Sequence, residues 1–212
     1  MALELGVQPA AQRSWRGAYD TWRALSVFRT VREGLRGART AEVPLDQWQY
    51  LAAAQRTGWD PGALERLVAD WMYDRPLKYL PFCKRRGLEA FLGFLEDRGL
   101  RVGVFSDYPV TTKLERLGLA ARMSVALCAT DPEVNAFKPS PTGFLRACAS
   151  WGLRPAEVLY VGDRPEVDAA GAANAGMPCA IISRRRVRRM EDGAAGEYTA
   201  FPSFARLQRA LS

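Results

Sequence analysis

The spacing of apolar positions along this chain changes near Pro81. Before that point they recur at three and four residues, the period of amphipathic helices. Trp15, Ala18, Tyr19, Trp22, Leu25, Phe28, Val31 and Leu35 outline a first helix from about Ser14. Arg13, Arg16, Arg23, Arg29, Arg32 and Arg36 fill much of its remainder. The aromatic stripe is expected to pack on neighbouring helices and the arginines to stay solvated. A membrane-surface role for this basic helix is the rival reading. A second helix is predicted from about Leu45 to Arg56, ended by Gly58. Asp60-Pro61 opens a third, with Asp as N-cap and Pro at the first helical position. Its stripe is Leu64, Leu67, Val68, Trp71 and Met72.

After Pro81, helical patterns alternate with short apolar runs. Leu88, Phe91, Leu92 and Leu95 predict a helix that stops at Gly99, followed by a strand from Leu100 that ends in Ser106-Asp107. A helix from Thr111 to Leu117, a strand over Ser124 to Ala129 and a helix from Thr142 to Trp151 come next. The run Val158 to Val161 reads as a buried parallel strand that ends in Gly162-Asp163, with a small-residue helix from Glu166 beyond it. Pro178 to Ile182 is the last clear strand, and Phe201 to Leu211 a closing helix. Such alternation predicts an α/β fold with a parallel sheet. The expected division is a helical region over 1–80 and an α/β region over 81–212.

Composition narrows the chemistry. The chain has no histidine, which removes His-based triads, His general bases and His metal motifs. The four cysteines, Cys83, Cys128, Cys148 and Cys179, form no C-x-x-C and read as free thiols, most of them buried. No apolar run approaches the roughly 18 residues of a membrane span. The first residues have an acid where a signal peptide has basic ones, so a cytoplasmic location is expected. The net charge of +7 is carried almost wholly by arginine and favours anionic partners in general. The run Arg184 to Arg189 has no interleaved aromatic residues and reads as a solvated loop, not a nucleic-acid contact.

Carboxylate, lysine and metal chemistry remain. Ser106, Lys138 and the Asp163/Asp168 pair all fall at, or in the loops beyond, the carboxyl ends of predicted parallel strands, where α/β sheets place ligands. A hydroxyl can donate to a phosphoryl oxygen, and a lysine is a compact charge against phosphate. Two aspartates can hold Mg²⁺. Taken alone, Gly162 to Asp168 fits either such a metal turn or an ordinary helix cap.

Together these segments resemble the haloacid dehalogenase superfamily of hydrolases. Val104 to Pro109 resembles its second motif, a strand ending in Ser or Thr. Asn135 to Pro139 resembles the third, a Lys followed by Pro. Tyr160 to Asp168, with Gly171 and Gly176-Met177, resembles the fourth. The resemblance implies a Rossmann-like core, with residues 1–80 as the helical cap that selects substrate. It implies Mg²⁺-dependent hydrolysis of a small phosphorylated metabolite through an aspartyl-phosphate. By the same resemblance Ser106 and Lys138 are catalytic, Ser106, Asp107 and Lys138 bind phosphate, and Asp163 and Asp168 hold the metal. No nucleic-acid or membrane partner is expected.

One departure stands out. The family's first motif is a central strand ending in Asp-x-Asp, which carries the nucleophile and the acid/base. No Asp-x-Asp occurs in this sequence, and neither Asp20 nor Asp46 ends a strand pattern. The 212 residues alone are therefore expected to be inactive. The full protein is expected to carry such a strand upstream of Met1, and a catalytically dead binding protein is the alternative. Removal of the central strand is expected to leave two rows of unpaired backbone groups.

Overall fold

A computed structural model describes residues 15–37, 43–183 and 196–212. The patterns read in residues 1–14 and in Arg184 to Arg189 lie outside this set. The chain divides between Pro76 and Leu77 into two compact units.

The described part of the first unit is helical. Helix α1 spans Trp15–Gly34, α2 Leu45–Thr57 and α3 Pro61–Val68, and α3 runs on as a π-helical turn over Ala69–Asp74. The predicted caps are in place. Asp60 Oδ1 accepts from the Ala63 N–H at 2.8 Å, and Gly58 closes α2 with φ at 76°. Leu25, Phe28 and Val31 meet Tyr50, Ala53, Leu64, Val68 and Trp71 in one apolar cluster, with the Phe28 and Tyr50 rings stacked at 5.2 Å. The stripe on α1 is narrower than its spacing suggested. Tyr19 and Trp22 are exposed, because they lie on the turns before the cluster begins, and Arg32 is buried with its guanidinium beside the Phe28 ring. None of the described helices is long and apolar enough to cross a membrane.

A 3₁₀ segment, Arg75–Cys83, leads into the second unit. There α4 (Leu88–Glu96), β1 (Gly103–Ser106), α5 (Thr111–Leu117), β2 (Val125–Cys128) and α6 (Thr142–Trp151) follow in order. Next come β3 (Tyr160–Gly162), a π-helical turn over Pro165–Ala169, α7 (Ala170–Asn174) and β4 (Cys179–Ile182). The chain ends in β5 (Thr199–Phe201) and α8 (Phe204–Leu211). Strand β5 was not legible as a strand. Its three residues are too few for a period, and the closing helix starts three residues later than its apolar pattern suggested, with Ser203 as N-cap.

All strand pairs are parallel, but they form two sheets, β1-β2 and β3-β4-β5. The register fixes which backbone groups face which way. In the first sheet Ala129 donates to the Ser106 carbonyl, so Val104 and Ser106 turn their N–H and C=O toward β2. Gly103 and Phe105 therefore turn theirs to the other edge, since alternate residues of a strand point to opposite sides. In the second sheet Tyr160 donates to the Pro178 carbonyl, so Val161 faces away from β4. These outward groups of Gly103, Phe105 and Val161 have no hydrogen-bond partner among the described residues.

One helix on each face spans both sheets. Helix α4 sends Phe91 and Phe94 to Ala180, Ile182 and Val161, and Leu92 to the cluster around Val102 and Val104. On the opposite face Phe144 of α6 packs edge-on against Phe105 of β1 at 5.3 Å and against Tyr160 of β3 at 4.7 Å. The half-sheets are thus joined through side chains and not through the hydrogen-bond ladder. Cys128, Cys148 and Cys179 are buried free thiols and Cys83 is exposed.

Candidate active site

The carboxyl ends of β1 and β3 meet at Lys138. This residue lies in the loop between β2 and α6, and its placement is set from three sides. Its backbone N–H donates to Asp107 Oδ1 at 3.2 Å, which ties the loop to the end of β1. Its Nζ donates to Asp168 Oδ1 at 2.7 Å and to the Tyr160 hydroxyl at 3.0 Å. The Tyr160 O–H in turn donates to Asp168 Oδ1 at 3.1 Å. The ammonium also lies 5.5 Å from the Phe105 ring centroid and 5.6 Å from that of Tyr160, within reach of cation–π attraction.

Asp168 is 3 % exposed and both of its oxygens are engaged. Oδ1 takes Lys138 and Tyr160, and Oδ2 accepts the backbone N–H groups of Asp163 and Arg164, each at 3.0 Å. Burial pushes its carboxyl up, but the Lys138 charge and hydrogen bond and the two backbone donors outweigh it and hold the group below the ordinary carboxylate range. Burial, then the Asp168 charge, pushes the Tyr160 phenol well up, so it is a neutral donor. Cys179 is pushed up to about 12 by burial and by the same carboxylate.

The sequence-derived residues thus separate into distinct positions. Lys138, Asp107 and Asp168 are linked directly. Ser106 ends β1, and its Oγ accepts the Tyr108 N–H at 3.1 Å, which shapes the turn after the strand. Asp163 is exposed, and its carboxylate has no hydrogen-bond or ion-pair partner among the described residues. Sequence reasoning missed Tyr160 as a polar participant, because within the apolar run Val158 to Val161 it reads as core. The signal that could have found it is a phenol whose strand position lies on the same side as Phe144 and the lysine.

Lys138, Tyr160, Asp163 and Asp168 line a cavity of about 260 Å³, whereas Ser106 and Asp107 are not part of its lining. Its wall includes Lys138, Tyr160 and Asp168, but also Val161, Ile182, Phe204 and Arg85. Tyr160 and Val161 are consecutive in β3 and point to opposite faces of the sheet. The cavity thus touches both faces of the sheet beside Gly162 and Asp163, at the carboxyl end of β3. Arg85 closes one side by donating to the Ile182 carbonyl at 3.0 Å.

The donor set bears on a divalent cation. Mg²⁺ binds through one or two carboxylates and keeps waters for a phosphate partner. Asp163 offers an open carboxylate of this kind, whereas the oxygens of Asp168 are already spent on protein donors. Among the described residues no group of three or more His, Cys, Asp or Glu is placed to hold a metal. Asp163 is the carboxylate of this pair left open toward a cation, and Asp168 accepts from the backbone of the loop on which Asp163 sits.

The strand ends of this parallel α/β core gather a lysine, a buried aspartate and an open carboxylate. The haloacid dehalogenase-like hydrolase family matches this chain over residues 10–176, and the chain belongs to that family. Among curated proteins it is similar to a phosphoserine phosphatase of Thermus thermophilus, 34% identical over 99 residues covering 45% of this chain and 39% of that protein. It is also similar to a glyceraldehyde 3-phosphate phosphatase of Methanopyrus kandleri, 41% identical over 100 residues covering 46% and 42%. The chain spans less than half the length of the curated relatives it matches. In fold it is similar to a 2-haloacid dehalogenase from Pseudomonas syringae, with a TM-score of 0.59 and 23% identity over 99% of this chain and 84% of that one. A haloacid dehalogenase phosphatase from Thermococcus onnurineus aligns with the same TM-score at 22% identity, over 87% and 92%.

Proposed function

We propose that this chain carries the phosphate- and cation-holding part of a phosphoester hydrolase that acts on a small phosphorylated metabolite. The observation that supports this reading most is Lys138, held against Asp168 and Tyr160 where the carboxyl ends of both half-sheets converge, with the open carboxylate of Asp163 nearby. Lys138 and Ser106 bind the phosphoryl oxygens, and Asp107 holds the Lys138 backbone in place. Asp163 holds Mg²⁺, which when bound supplies positive charge to the phosphoryl group. Asp168 anchors both Lys138 and the Asp163 loop. The helical unit serves as the cap that selects substrate.

The attacking carboxylate comes from a strand seated between β1 and β3. The outward backbone groups of Gly103, Phe105 and Val161 support this reading. The 212 residues contain no Asp-x-Asp, so by themselves they bind but do not turn over. The test is phosphatase turnover with Mg²⁺ for this chain and for the chain extended by its in-frame upstream coding sequence. Activity only in the extended protein, abolished by Asp163→Asn, supports the reading. Robust turnover by the 212-residue chain refutes the predicted inactivity. No turnover in either form favours a binding protein that keeps the pocket without the reaction.

A further inference from the structure

Tyr160 occupies a position that its neighbours explain only if its hydroxyl is used. A lysine ammonium can donate but not accept, so in the contact at 3.0 Å the Tyr160 oxygen is the acceptor and Lys138 Nζ the donor. The phenolic proton is then left for Asp168 Oδ1 at 3.1 Å. With the Lys138–Asp168 contact at 2.7 Å, the three atoms close a triangle in which each hydrogen bond fixes the direction of the other two. The ring cannot swing away, because Phe144 packs edge-on against it at 4.7 Å and Phe144 is itself buried. Asp168 cannot follow the lysine, because its second oxygen is held by two backbone N–H groups.

We propose that Tyr160 is a positioning residue: its hydroxyl fixes Lys138 Nζ in the wall of the cavity, so the ammonium meets a phosphoryl group already oriented. The proposal rests on the reading of Lys138 as a phosphate-binding group. A lysine side chain is among the most flexible, with four rotatable bonds to be fixed whenever its charge is used at one point. The hydrogen bond to Asp168 Oδ1 leaves the ammonium free to turn about that contact, and the hydrogen bond to the Tyr160 oxygen restricts that turn.

The variant is Tyr160→Phe, which keeps the ring and its contact with Phe144 and removes only the hydroxyl. Circular dichroism checks that it folds. Lysines labelled with ¹³C at Cε give few signals, since the chain has only Lys78, Lys84, Lys113 and Lys138, and Lys138→Arg assigns the one of interest. In the wild-type chain the two Lys138 Hε protons should be resolved, as in a side chain held in one orientation. In Tyr160→Phe they should collapse to the single shift of an exposed lysine. Affinity for inorganic phosphate, by calorimetry, should fall about three- to tenfold, the effect of one lost hydrogen bond on an orienting group. An unchanged Lys138 signature overturns the proposal whatever the affinity does. A collapsed signature with unchanged affinity overturns it too, since Tyr160 then restrains the lysine without serving binding. If the wild-type chain binds no phosphate, the phosphate reading of the site falls, and the Lys138 signature alone decides whether Tyr160 holds the lysine.

Discussion

Gly162 passes so close to Asp168 that a Cβ on the glycine would lie 2.5 Å from the aspartate's own Cβ. The absent side chain is what lets the carboxylate reach Lys138 on one side and two backbone donors on the other. Gly162→Ala forces Asp168 or β3 to shift, and overpacking of this kind costs about 1–3 kcal/mol. Urea denaturation should show that loss, and phosphate affinity should fall with it because Lys138 loses its anchor. A variant as stable as the wild type would show that the loop yields freely.

Asp168→Asn leaves the buried Lys138 ammonium without its opposing charge. Removal of one partner of a buried pair typically costs about 3–5 kcal/mol. Lys138 retains the Tyr160 oxygen and some access to water, so the expected loss is near the lower end, about 3 kcal/mol. Equilibrium unfolding at neutral pH measures it.

The pH dependence follows from the same carboxyl. Its folded pKa lies below the unfolded value of about 3.9, so the folded state binds the proton less readily than the unfolded one. The stabilisation is complete above the unfolded pKa and is lost as pH falls through the folded one. Unfolding free energies taken from pH 6 down should decline below about pH 4, and the decline should be shallower in Asp168→Asn.

Asp163→Asn should leave stability within about 0.5 kcal/mol of wild type, since the side chain is exposed and has no partner among the described residues. Binding of Mn²⁺ as a probe for Mg²⁺, followed by its EPR signal, should weaken at least about tenfold, as expected when a carboxylate ligand is lost. Equal binding by both proteins would move the cation elsewhere.

Thiol reactivity offers a test of the core. Ellman's reagent should modify Cys83 alone in the native chain and all four cysteines in denaturant. Burial pushes the Cys179 thiol up to about 12 and raises that of Cys148, so neither supplies thiolate at neutral pH.

Much of this architecture was legible in the residues. The limit of α2 at Gly58 was marked by a glycine that adopts the left-handed region. The parallel strands were marked by apolar runs that end in Ser106 and Gly162. The hydrogen bonding of Asp163 and Asp168 was not legible. Spacing placed Asp163 and Asp168 five residues apart but could not tell which oxygens the π-helical turn over Pro165–Ala169 would commit to backbone donors. Arg32 was misjudged because a charge on a helix reads as solvated until the neighbouring helix is placed over it. Strand β5 was too short to carry a pattern of its own.

The outward edges of β1 and β3 also govern how the chain behaves in a tube. Natural sheets guard an edge with a lysine, a proline, a bulge or a covering segment, because bare amides and carbonyls recruit strands from other molecules. The side chains of Gly103, Phe105 and Val161 provide no such guard. Purified at high concentration, the isolated chain has its own apolar strands as ready ligands for these edges. Its solubility is then expected to depend on concentration and time as much as on net charge, which turbidity followed against protein concentration would show.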